Sequence, residues 1–185
     1  QRIQGLKIFC EYRDKRSFPL LLPLLDQSCP VERMSAVYAL GRNPCPDAVS
    51  KLISLLEYDD NAYVRRATAW SLANYDNQIV LRPLIKALQN DVSSVRLWAS
   101  SSLAEIGSVS NDNAQLAAEQ LLISLKIDNE PVVRSNCIWS LCRLYQNLSN
   151  KLQDLFIDEC TKIALFDSEP SVMEEAKTAL DSMGM

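Results

Sequence analysis

From Arg33 onward the chain repeats one pattern of polar and apolar positions. The octads Arg33–Leu40, Arg65–Leu72, Arg96–Leu103 and Arg134–Leu141 align without a gap, each opening on arginine and closing on leucine, with small residues between. Arg2–Phe9 is a worn copy before them and Met173–Leu180 another after them. The anchors are 31, 32, 31, 38 and 39 residues apart. Between copies lies one helix-length apolar segment, with spacings such as Val49, Leu52, Ile53, Leu56 and Leu81, Leu84, Ile85, Leu88. A two-helix unit of this length cannot bury its own apolar face, so consecutive units stack and share a core. The pattern predicts an all-α chain: a right-handed α-solenoid of about five to six helix pairs, in a single domain over residues 1–185 with its first repeat incomplete at the N-terminus.

Polar turns punctuate the pattern. The second helix of each pair is expected over 1–12, 31–42, 62–74, 93–106, 131–147 and 170–183, and the first over 17–26, 46–58, 79–89, 114–127 and 151–166. Before the second helices stand Asp26-Gln27-Ser28-Cys29-Pro30, Asp59-Asp60-Asn61, Asn90-Asp91, Asp128-Asn129-Glu130-Pro131 and Asp167-Ser168-Glu169-Pro170. Asp and Asn cap helix starts, and proline suits the first turn, where no amide donor is needed. Wider turns around Ser108 to Asn113 and Gln146 to Asn150 account for the two longer offsets.

Counting each second helix from its anchor arginine as zero separates core from surface. At 100° per residue, positions −1, +3, +6, +7 and +10 share one side, and small and aliphatic residues fill it. Positions +1, +5 and +9 face the other way, toward the inner curve of such a stack. Position +5 reads Lys7, Tyr38, Trp70, Ser101, Trp139, Thr178; position +1 includes Met34, Arg66 and Leu97; position +9 includes Arg42, Asn74 and Arg143. Aromatics and arginines on a rigid concave surface have the composition of a binding hot spot, so Met34, Tyr38, Arg42, Arg66, Trp70, Asn74, Leu97, Trp139 and Arg143 are the candidate partner-binding residues. Rotating the wheel by roughly 40–60° would instead make Trp70 and Trp139 packing residues between repeats. Trp98, at +2, is assigned to that seam.

The repeated Asp, then Arg, then a small residue and Leu resembles HEAT repeats, in the short form found in phycobilisome lyases of cyanobacteria and their relatives. The resemblance implies that Arg33, Arg65, Arg96 and Arg134 form a structural ladder to acidic turn residues; Met173 departs from it. Trp70-Ser-Leu-Ala-Asn74 also resembles the Trp-x-x-x-Asn element of armadillo repeats, whose Trp stacks on peptide side chains while the Asn holds peptide backbone. That element occurs once, because Arg42 and Arg143 replace Asn in the other copies.

Composition narrows the function. The net charge is −4 with no basic stripe, which disfavours nucleic acid, and no apolar run is long enough to span a bilayer. The six cysteines form no CxxC pair, and several fall on inward faces, as expected of a reduced, cytoplasmic chain. With no histidine, His-based metal sites and His-dependent triads are absent, and no glycine-rich phosphate loop occurs. Carboxylate pairs such as Asp59/Asp60 and Glu174/Glu175 read as solvated charge. No catalytic residue, metal or cofactor is therefore assigned. The expected function is a non-catalytic scaffold or adaptor binding a protein partner, with an acidic one favoured by Arg42, Arg66 and Arg143. The alternative implied by the lyase resemblance is a bilin lyase or bilin-handling chaperone. In that reading an open-chain tetrapyrrole stacks on Trp70 and Trp139 and is presented to a phycobiliprotein.

Overall fold

The computed structural model describes residues 5, 8, 9, 11–75 and 78–184; most of the copy at Arg2–Phe9 lies outside them. Among the described residues there are ten α-helices and no strand. They pair as α1 (Phe18–Leu21) with α2 (Pro30–Arg42), α3 (Val49–Tyr58) with α4 (Ala62–Leu72), and α5 (Leu81–Asn90) with α6 (Ser93–Gly107). The last two pairs are α7 (Asn111–Ile127) with α8 (Pro131–Leu144) and α9 (Asn150–Phe166) with α10 (Pro170–Ser182). No helix among the described residues is long and apolar enough to cross a membrane.

Helix starts follow the turn chemistry. Proline occupies the first position of α2, α8 and α10, and the Asn61 side chain accepts from the Tyr63 amide at 2.9 Å to cap α4. Several boundaries shift by a few residues from the sequence expectation, and two of the shifts have a clear cause. The helix expected over 17–26 is broken into α1 and flanking 3₁₀ turns, because Pro19 and Pro23 each remove an amide donor. Helix α7 starts at Asn111, inside the turn expected at Ser108 to Asn113, because the Ser110 hydroxyl accepts from the Asn113 amide at 3.2 Å and caps an earlier turn.

Successive second helices pack directly on one another, while the first helices meet more sparsely. The stack therefore closes up on the second-helix side, which forms its inner curve. Small residues permit the approach. Ala36, Thr68, Ala99, Cys137 and Ala176 at +3 are buried, with Leu40, Leu72, Leu103 and Leu141 at +7 beside them. Ser102 donates its hydroxyl to the Ala69 carbonyl at 2.8 Å, and Ser140 donates to Ser100 at 3.0 Å.

The turns that lead into the second helices are held by charge. Arg33 forks onto Asp59 at 2.7 and 2.8 Å, Arg65 onto Asp91 at 2.7 Å twice, Arg96 onto Asp128 at 2.7 Å twice, and Arg134 onto Asp167 at 2.9 and 2.7 Å. The remaining guanidinium nitrogen of each donates to a carbonyl of its own turn: Gln27, Asp59, Asp91 or Asp128 at 2.7–2.9 Å. The carboxylates also accept backbone amides, Asp59 from Asn61, Asp128 from Glu130 and Asp167 from Glu169, each at 2.9 Å. Asp59 is thus a buried ladder acceptor, not the solvated charge its pairing with exposed Asp60 suggests in the sequence. Met173 supplies no further arginine.

Burial alone would raise the Asp59 and Asp167 carboxyls, but the arginine and amide hydrogen bonds more than offset it and hold both below the ordinary aspartate value. A carboxyl depressed in the folded state stabilises above its unfolded value of about 3.9, and that stabilisation is lost as pH falls through the folded value. Urea unfolding at a series of pH values should show a level midpoint from about pH 6 to 8, where no histidine titrates, and a fall beginning below about pH 4. Asp128→Asn, which strips the charge facing partly buried Arg96, should lower unfolding free energy by about 2–3 kcal/mol in the same assay.

Candidate binding face

The inner curve is built from the outward sides of α2, α4, α6, α8 and α10. At its N-terminal end the Tyr38 and Trp70 rings are 5.4 Å apart, tilted by 51°, and the Arg42 guanidinium stands 5.4 Å from the Trp70 ring. Beneath them α2 and α4 nearly touch: a Cβ on Gly41 would lie 2.6 Å from the Trp70 ring and 3.2 Å from the Ser71 Cα. Trp70 is consequently half-buried, packing on one side and presented on the other. Met34 and Leu97 at +1 are also half-buried, and with Tyr38 they lean against the core.

Further along, a depression of about 320 Å³ is lined by Trp70, Ala73, Asn74, Trp98, Ser101, Ser102, Glu105 and Trp139. It draws on three consecutive second helices. Trp139 is 40% exposed and Trp98 38%. Arg143 stacks on Trp139 at 5.1 Å and pairs with Glu105 at 2.9 Å. Trp139 and Ser101 also border a neighbouring hollow of about 390 Å³ with Leu97, Val132, Ser135, Asn136 and Glu175. The Asn74 amide donates back to the Trp70 and Ser71 carbonyls at 3.3 Å. Arg66 does not join this group. Its guanidinium stands 5.3 Å from the Tyr63 ring, and its buried Nε has no acceptor.

Trp98 is not the seam residue its +2 position suggests. Asn136, at +2 on the next helix, closes the α6–α8 seam with short polar groups, donating to the Leu97 carbonyl at 3.1 Å and to the Ser100 and Ser101 hydroxyls at 2.7 Å each. Trp98 is itself exposed and lines the depression beside Trp70 and Trp139. The trace in the sequence is Ser101: where +5 carries a serine instead of an aromatic, the aromatic stands three residues earlier. Glu105 carries no signal of its own in the sequence, since its role depends on Arg143 in the following repeat.

Hollows on the ladder edge, of about 220 and 500 Å³, are bordered by Arg65, Asp91, Arg96 and Asp128, which already satisfy one another. Burial pushes the Cys142 thiol up to about 11, Cys160 to about 12, and Cys137 further still, so none of the three is a thiolate near neutrality. Among the described residues no cluster of His, Cys, Asp and Glu is placed to hold a metal.

The HEAT-repeat profile matches residues 2–73 and 49–142, most of the chain. The chain belongs to the HEAT-repeat family. No curated protein matches this HEAT-repeat chain by sequence. Among solved structures it is similar to a designed armadillo repeat protein in complex with peptide (KR)4, at 20% identity and a TM-score of 0.71 over 97% of this chain and 90% of that one. It is similar to the complex of CpcE and CpcF of phycocyanin lyase from Nostoc sp. PCC7120, at 24% identity and a TM-score of 0.70 over 90% of this chain and 99% of that one. Human deoxyhypusine hydroxylase in complex with glycerol is more distant, at 16% identity and a TM-score of 0.56, over 97% and 78%. At these identities the likeness concerns the fold.

Gly41→Ala should force the Trp70 ring off its seat and destabilise the HEAT stack by about 1–3 kcal/mol. The indole N–H resonance of Trp70 should move while that of Trp139, two repeats away, stays in place.

Proposed function

We propose that this HEAT-repeat chain is a non-catalytic interaction module, a scaffold or adaptor whose repeats act as one domain and hold a protein partner along the inner face. The observation that carries the reading is the row of partly exposed aromatics, Tyr38, Trp70, Trp98 and Trp139, on consecutive second helices of a rigid stack. Large aromatics with arginine beside them contribute most of the energy in protein interfaces. Met34, Arg42, Arg66, Asn74, Leu97 and Arg143 complete the face. The guanidinium groups of Arg66, stacked on Tyr63, and Arg42, stacked on Trp70, favour a partner carboxylate at that end. Free thiols at all five described cysteines suit a reducing, cytoplasmic setting.

The test is a random-peptide selection against the chain, followed by titration of the selected peptides with variants and a thermal melt of each. Trp139→Ala should weaken binding by about 2 kcal/mol with the melt unchanged. Trp70→Ala should weaken binding and also lower the melting temperature, because its ring packs on Gly41 and Tyr38. Undiminished affinity in both variants would remove the inner face as the binding site.

A second reading is supported by the similarity to the phycocyanin lyase complex over 99% of that chain: an open-chain tetrapyrrole stacks on Trp70 and Trp139, with Arg42, Arg66 or Arg143 pairing its carboxylates, for transfer to a phycobiliprotein. Mixing with phycocyanobilin should then shift its absorption spectrum, and Trp139→Ala should abolish the shift. An unchanged spectrum removes this reading and leaves the first intact.

A further inference from the structure

The depression among Trp70, Trp98 and Trp139 has a chemistry of its own. Its one ionisable lining residue is Glu105, an acid; Arg42 and Arg143 stack on two of the indoles but do not line it. Because the Asn74 amide nitrogen is spent on helix carbonyls, its side-chain oxygen is left as an acceptor at the rim. The ring contacts among the described residues are Tyr38 with Trp70 and Tyr145 with Phe156, so the three indoles surround the space instead of stacking on one another. Indole faces are electron-rich, and a carboxylate and a carbonyl oxygen beside them make the lining itself cation-seeking; the cations it has now, Arg42 and Arg143, are held from outside the lining.

We propose that this depression is an aromatic cage for a lysine side chain of the partner segment, plain or methylated at its ammonium group. The proposal rests on the interaction-module reading and specifies the partner's chemistry at one point of the face. The chain already places a cation in one corner: Arg143 stacks on Trp139 and pairs with Glu105. That pair is nearly half exposed on both sides, so an incoming ammonium can share or take over the carboxylate. A carboxylate ligand would meet Glu105 and the indole faces, both repulsive to it. The face is therefore two-signed, with Arg66 suited to an acid and the indole cage suited to a cation one repeat further on.

The experiment follows the indole N–H resonances of the full chain during titration with four amino-acid amides at fixed ionic strength. The probes are Nα-acetyl-trimethyllysine amide, Nα-acetyllysine amide, the neutral Nα-acetylnorleucine amide and the anionic Nα-acetylglutamate amide. The two cations should give saturable shifts of the three indoles, trimethyllysine the stronger, with norleucine about tenfold weaker and glutamate inert. Trp98→Ala should abolish the response, Glu105→Gln should weaken it several-fold, and Arg143→Gln should strengthen it by freeing Glu105. Melts of each variant should be unchanged, since Trp98, Glu105 and Arg143 lie outside the core. Equal binding of norleucine, preferred binding of glutamate, no shift with any probe, or weakening by Arg143→Gln would each overturn the cage. If peptides selected against the chain still lose affinity on Trp139→Ala or Trp70→Ala, the inner face survives that result; if neither variant weakens them, both readings fall.

Discussion

Each ladder guanidinium hydrogen-bonds in two directions, and the arrangement of the repeats depends on it. Two nitrogens fork onto the aspartate of the following turn and the third holds a carbonyl of its own turn, so one side chain fixes the distance and tilt between neighbouring repeats. The same aspartate accepts an amide at the start of the next helix. Taking such charges from water is costly, but here every partner is hydrogen-bonded and the geometry is bidentate. What the pair contributes is register: four identical clamps at Arg33, Arg65, Arg96 and Arg134 place four turns in a line. Gln27 stands where the first aspartate of the series would be, and Met173 where a further arginine would be.

With one edge clamped, the second helices have a set separation, and small residues at +3 and +6 let them meet almost backbone to backbone. Gly41 is the extreme case, since any side chain would collide with Trp70 and with the Ser71 backbone. Crowding at the seams leaves no space for large side chains, which stand outward on the inner curve. The surface that displays Tyr38, Trp70, Trp98 and Trp139 is thus a product of the core's small residues. Such a display is preorganised, and a ligand loses less entropy on a rigid face than on a loop.

The charge on this face is local, not uniform. Arg66 is stacked on Tyr63, Arg42 is stacked on an indole, and Arg143 is balanced by Glu105. A tally of arginines at +1 and +9 suggests a basic groove, but pairing across repeats leaves alternating patches. An elongated partner can be read point by point along such a surface, as in other repeat stacks where each repeat contacts its own part of a ligand.

The fold was legible in the sequence because its determinants are local and repeated. The Arg-to-Leu octads state the period, the small residues at +3 and +6 state which side packs, and Pro131, Pro170 and Asn61 mark where helices begin. The aspartates of the ladder could be placed only by resemblance, since in the chain Asp59 is indistinguishable from its exposed neighbour Asp60. Beyond that, what mattered was contact between residues 26 to 40 positions apart. Whether Trp70 packs or binds depended on how closely α2 approaches α4 over Gly41. Trp98 joined the inner face through the depression it lines with Trp70 and Trp139 of the adjoining helices, and Glu105 acquired its role from Arg143. Periodicity along one helix specifies which face a residue occupies; what that face meets is decided by the neighbouring repeat, through packing distances and charge pairings that no single helix encodes.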